Sequence, residues 1–118
     1  MLTRYKDIEP FITKDGSEIR ELMHPQHHAV LKQSLAEATV PPGSETLLHQ
    51  HQITEELYHI TQGRGVMRLG VETFPVKVGD TIRIAPGTAH NIRNDGDEPL
   101  KILCSCSPAY RDDDTQLL

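Results

Sequence analysis

The run His49-Gln50-His51-Gln52-Ile53-Thr54-Glu55-Glu56 gathers two imidazoles and two carboxylates into one short stretch. Side chains on a strand alternate between faces, so His49 and His51 share a face, about 7 Å apart along the backbone. Two imidazoles at that spacing can converge on one ion, each bonding at roughly 2.0–2.1 Å. The turn after them is short enough to bring Glu55 or Glu56 back opposite, one inter-strand spacing of about 4.8 Å away. Alternation lets only one of the two glutamates face the ion. Alone, the histidine pair describes two surface imidazoles as well as half a metal site; the carboxylate beyond the turn favours the site.

A second segment, residues 79–94, runs through Thr81-Ile82-Arg83-Ile84 into Ala85-Pro86-Gly87 and reaches His90. Pro86 fixes φ and Gly87 permits a positive φ, so the bend before His90 is stiffly set. A metal ligand needs such support, because a site tolerates little positional error.

The elements that must hold these residues are strands. Helical periodicity is absent, while short β-branched or alternating segments recur between turn formers. The expected strands are residues 18–23, 29–39, 45–51, 56–61, 65–69, 74–76, 81–84, 90–94 and 100–105, separated by turns such as KDGS, VPPGS, TQGRG and NDGDEP. This spacing predicts an all-β sandwich or barrel, with residues 1–118 as a single domain. The segment SPAYRDDDTQLL, residues 107–118, reads as a short tail that wraps the barrel or frays.

The chain carries a net charge of −5, with its basic residues scattered rather than striped, which argues against nucleic acid or an anionic membrane as the main partner. No run approaches the ~18 apolar residues that span a bilayer, and MLTRYKDIEPF lacks a signal-peptide core, so a cytoplasmic location is expected. Cys104 and Cys106 sit in LCSCS at strand spacing, with Cβ atoms about 6–7 Å apart. A disulfide wants about 3.5–4.5 Å, which argues against a mutual bridge. Both thiols share a face with Leu100 and Ile102 and are expected to be buried as small hydrophobes. Should that face line a cavity, a thiol would stand near the metal.

Together the two segments resemble the cupins. Gly43, five residues, His49-Gln50-His51, four residues, Glu56, six residues and Gly63 match the first cupin motif at every spacing. Gly79, five residues, Ala85-Pro86-Gly87, two residues, His90, three residues and Asn94 match the second except at Ala85, where the family usually has proline. We expect that departure to alter the turn slightly without removing the site. The motifs, at 43–63 and 79–94, imply a cupin-type double-stranded β-helix, a jelly-roll barrel. They also imply one divalent transition metal (Mn, Fe, Co, Ni, Cu or Zn) held by His49, His51, Glu56 and His90. The likeness extends to the cupin part of mannose-6-phosphate isomerases.

Other polar residues admit plainer accounts. Glu55 and His59 fall on the face opposite Glu56 and should be solvated or structural. His24, His27 and His28 read as exposed imidazoles in a proline-containing turn. Arg68, Arg83 and Arg93 are candidates for gripping an anionic substrate, although strand-surface charges are commoner. Tyr58 shares the Glu56 face and is a candidate pocket wall. Gln50, Thr54 and Asn94 are candidates for orienting the imidazoles.

Four protein ligands on a six-coordinate ion leave two adjacent positions for a small molecule. Two functions follow. One is a small metalloenzyme, an isomerase, lyase or oxygenase acting on a polar or anionic metabolite. The other is a non-catalytic metal-containing pocket that binds a sugar or small acid. Exposed edge strands also suggest a homodimer.

Overall fold

The computed structural model describes residues 1–118 as eleven strands with two short 3-10 turns, Tyr5–Asp7 and Asp112–Asp114. The strands are β1 Phe11–Ile12, β2 Glu18–Met23, β3 Ser34–Val40, β4 His49–His51, β5 Glu55–Gln62, β6 Arg64–Leu69, β7 Glu72–Lys77, β8 Thr81–Ile84, β9 His90–Arg93, β10 Leu100–Ser107 and β11 Thr115–Leu117. They form two antiparallel sheets, in the orders β1-β2-β3-β10-β5-β8 and β11-β4-β9-β6-β7. No helix is long and apolar enough to cross a membrane.

Alternation sets what each strand contributes. In β5, Glu56, Tyr58 and Ile60 are buried, while Glu55, Leu57 and His59 are exposed. In β10, Leu100, Ile102, Cys104 and Cys106 are buried. The antiparallel register pairs Ile102 with Ile60, Cys104 with Tyr58, and Cys106 with Glu56. The interior therefore changes character along the strands. An apolar layer that includes Val40, Met67, Ile92 and Leu100 fills one part, and the histidines and Glu56 lie in another.

Two expected strands are shorter than their composition suggests. Residues 29–33 lie outside β3, because β2 ends with Met23 opposite Leu35 and the β3–β10 pairing ends with Cys106 opposite Ser34. No ladder extends far enough to pair them. Residues 45–48 lie outside β4: Thr46 donates to Ile92 O and Leu47 to Asp15 O, apart from one bridge between Glu45 and Arg93. The tail adds β11, which pairs with β4 and places Thr115 opposite His51.

Glycine is required where chains meet. Gly63 has φ +79°, and a Cβ there would sit 2.9 Å from Pro99 O. Gly87, at φ +77°, donates its N–H to His51 O over 2.6 Å, tying the second motif's bend to the first motif's strand. Asn94 is fully buried, donates to Val40 O and Glu98 O, and accepts from Gly96 N.

Candidate metal centre

β4 brings His49 and His51 to the interior, and β9 opens with His90 directly opposite His49. All three are buried, and one ring nitrogen of each lies within 4.8 Å of the others. The His49 and His90 ring centroids are 4.2 Å apart. From β5, Glu56 Oε1 approaches His51 Nε2 at 3.3 Å and His90 Nε2 at 3.7 Å.

Hydrogen bonds on the far side of each ring fix its tautomer. His49 Nδ1 donates to Leu47 O at 2.8 Å, and His90 Nδ1 to Thr88 O at 2.9 Å, since a carbonyl can only accept. His51 Nδ1 meets Thr115 Oγ1 at 3.0 Å, and that hydroxyl spends its own proton on Arg111 O. Each ring thus carries its proton on Nδ1 and turns the Nε2 lone pair inward. The expected orienting groups act elsewhere: Gln50 bonds Gln116, Thr54 bonds Pro108 O, and Asn94 holds the turns described above.

The inward lone pairs have a consequence. Glu56 Oε1 and His90 Nε2 are buried and have no hydrogen-bond partner. A carboxylate oxygen and imidazole acceptors facing one another repel, and a buried unpaired acceptor costs about 1–3 kcal/mol. A divalent cation held by these residues would remove both penalties, and three imidazoles with one carboxylate suit a transition ion. Burial, and after it the repulsion from His49, holds the His90 pKa down to about 4, which keeps that lone pair free at neutral pH.

The other sequence candidates separate cleanly. Tyr58 is buried, lines the cavity and packs edge-on against His90. Burial, with Glu56 nearby, pushes its phenol well above the usual range. Arg68, Arg83 and Arg93 are exposed, against the expectation that they grip a substrate. Each neighbours a buried apolar residue (Met67, Ile82 or Ile84, and Ile92), so alternation turns it outward. Arg83 pairs with Glu55 at 2.9 Å. Glu55 and His59 face out as expected, with His59 bonded to Thr81. Of the three histidines expected to be exposed in the proline-containing turn, His27 is exposed, His28 is half-buried and accepts from His24 N, and His24 is buried, its Nε2 donating to Tyr110 O at 2.6 Å.

Both cysteines are free, buried and part of the cavity wall. Cys106 Sγ donates to Glu56 Oε2 at 3.3 Å, and burial, reinforced by Glu56, pushes both thiols up. The cavity, about 50 Å³, is also lined by residues that no motif announced. Asp15, in the turn before β2, places Oδ2 3.7 Å from His49 Nε2. Thr115 and Tyr110 come from the tail, Tyr110 edge-on to His51. Asp15 reads in sequence only as a turn former, and β11 is too short to show a period.

A Cupin domain family model matches residues 36–106, more than half the chain. The chain belongs to the cupin family. Its two antiparallel sheets form the cupin jelly roll. This cupin is 58% identical over 116 residues to the uncharacterized protein MJ1618 of Methanocaldococcus jannaschii, covering 98% of the chain and 93% of the relative. It is 37% identical over 68 residues to the oxalate-binding protein of Thermotoga maritima, covering 58% of the chain but only 56% of that protein. Among solved structures, a predicted oxalate decarboxylase from Thermotoga maritima superposes with a TM-score of 0.79 at 29% identity, covering 92% of this chain and 99% of that one.

Proposed function

We propose that this cupin is a small metal-dependent enzyme in which His49, His51, Glu56 and His90 hold one divalent transition ion. The observation that carries the reading is the convergence of buried acceptors without partners, Glu56 Oε1 and His90 Nε2, beside two further imidazoles. When bound, the ion would supply Lewis-acid or redox chemistry to a ligand in the cavity. The chain's own residues then have distinct tasks. Leu47 O, Thr88 O and Thr115 Oγ1 fix the ring orientations. Cys106 steadies the second oxygen of Glu56, while Tyr58 and Tyr110 line the cavity. The substrate is a small polar metabolite, and isomerase, lyase and oxygenase chemistry are all compatible with such a centre. A sugar-type substrate, as in mannose-6-phosphate isomerase-like cupins, falls within this class.

The test is elemental analysis of the purified protein and of His49→Ala and His90→Ala. About one transition ion per chain is expected for the wild type, and none in either variant with the barrel still folded. A wild-type chain that neither carries nor takes up metal overturns the reading. A second reading, binding without turnover, is favoured by the likeness to an oxalate-binding protein. Ligand-dependent thermal shift without product formation would select it. The same proposal places the protein in the cytoplasm as a homodimer, supported by Leu35 and Leu57, both exposed and both opposite Ser105 on the outer sheet face. Light scattering showing a monomer counts against the dimer.

A further inference from the structure

The cavity beside the histidines has a one-sided charge. Its wall includes the carboxylates of Asp15, Glu21 and Glu56 and the hydroxyls of Ser17, Ser34 and Thr115, but no lysine or arginine. Basic groups of the surrounding segments are occupied elsewhere. Lys14 Nζ donates to Asp112 O and Thr115 O, Arg111 pairs with Asp113, and Arg83 pairs with Glu55. A dication in the site is already offset by Glu56 beside it and Asp15 next to His49. An anion entering this cavity would lose its hydration, meet a dication whose charge those two carboxylates already balance, and find no lysine or arginine in the wall.

Asp15 is held as though one of its oxygens were reserved. Oδ1 accepts three hydrogen bonds, from Ser17 N at 3.0 Å, Ser17 Oγ at 2.7 Å and Thr13 Oγ1 at 2.8 Å. The backbone carbonyl of Asp15 accepts from Leu47 N at 2.8 Å, locking the turn to the strand that leads into His49. Oδ2 takes part in none of these bonds and faces the cluster, 3.7 Å from His49 Nε2. The unpartnered Glu56 Oε1, on a side chain only 7% exposed, marks the same space as one built to receive a ligand. The cavity's roughly 50 Å³ has room for on the order of four waters, the scale of a compound of a few carbons.

We propose that the natural ligand is a small neutral compound with adjacent oxygens, a hydroxyl beside a carbonyl or a second hydroxyl, and that Asp15 Oδ2 accepts a hydrogen bond from its hydroxyl. The adjacent oxygens would reach an ion held by His49, His51, Glu56 and His90, so this inference rests on the metal-centre reading above. Discrimination against phosphorylated and carboxylated compounds comes from the lining carboxylates and the absence of a guanidinium or ammonium group. Asp15 thereby acts as a specificity residue, outside the two motifs that carry the metal-binding set.

Calorimetric titration with dihydroxyacetone, dihydroxyacetone phosphate and oxalate tests this on metal-loaded and metal-stripped full-length protein. Dihydroxyacetone is expected to bind at least tenfold more tightly than either anion in both forms, because carboxylates present in both forms set the order. Asp15→Asn keeps an Oδ1 for Ser17 and Thr13 and replaces only the free oxygen by a donor. It is expected to weaken dihydroxyacetone at least tenfold, to narrow the gap to the anions, and to retain wild-type metal content. Tighter binding of either anion, failure of dihydroxyacetone to bind, or loss of metal from Asp15→Asn overturns the proposal. Metal content of the wild type, measured on the same samples, reports separately on the metal-centre reading.

Discussion

Along β5 and β10 the facing pairs run Ile60–Ile102, Tyr58–Cys104 and Glu56–Cys106, a passage from dry core to ligand cluster over about 14 Å. At the Ile60 end every buried group is satisfied by packing, and both isoleucines are fully buried. At the Glu56 end β5 delivers an acceptor that lacks a partner, Glu56 Oε1, and β9 sets another, His90 Nε2, facing it. One end contributes stability and the other forgoes some of it, keeping polar groups oriented for something that arrives from outside. The difference teaches that folding and function draw on alternate parts of the same ladder, and it can be broken from either side.

The largest effect on stability is expected at the dry end. Ile102→Ala should cost about 2–5 kcal/mol through lost burial and the cavity left behind. Urea denaturation measures it, and the metal bound per folded chain should not change. At the polar end the complementary result is expected. Removing the ion from the wild type should lower stability by about 4 kcal/mol when free metal had stood at a thousandfold its dissociation constant. His90→Ala should abolish that difference between loaded and stripped protein. If Ile102→Ala removed metal as effectively as His90→Ala, the two ends would not be separable.

Acid gives a third handle, applied to the stripped protein. The unfolded chain binds a proton at His90 near pH 6.5, whereas in the folded protein burial delays this to about pH 4. Between those values the unfolded state binds more protons, so stability falls as pH drops through that window. The loss should reach about 3 kcal/mol below it. His90→Gln should flatten that part of the profile; an unchanged profile would show that another group carries the acid sensitivity.

What the sequence allowed one to read follows the same division. β5, β8 and β10 were legible because alternation is strong and turn formers bracket them. His49, His51, Glu56 and His90 were brought together as expected because motif spacing fixes strand lengths and the bend at Pro86-Gly87. The parts missed depend on pairing across long separations. Thr115 reaches His51 only because β11 joins the edge of β4, and nothing in Thr-Gln-Leu announces an edge strand. Asp15 enters through a turn whose direction is set by Leu47, far along the chain. The outward facing of Arg83 was within reach, since Ile82 and Ile84 flank it with the same alternation that separates Glu55 from Glu56.

A smaller effect is expected where the polar end is internally braced. Cys106→Ala frees Glu56 Oε2 from its one thiol donor and should cost about 1 kcal/mol in the stripped protein. Cys106→Ser, which can still donate, should recover most of that loss. Equal stability of both variants would mean that the thiol serves only as packing.

The smallest effect belongs to the arginines. Arg83 and Glu55 are both exposed, and water screens their 2.9 Å pair, so Arg83→Ala should change stability by no more than about 0.5 kcal/mol. More pointedly, neither it nor Arg68→Ala nor Arg93→Ala should alter ligand affinity, because alternation keeps all three side chains outside the cavity. A large loss of affinity in any of them would mean that the outer surface takes part in recognition. The contrast between a binding interior and an inert exterior would then have to be redrawn around that residue.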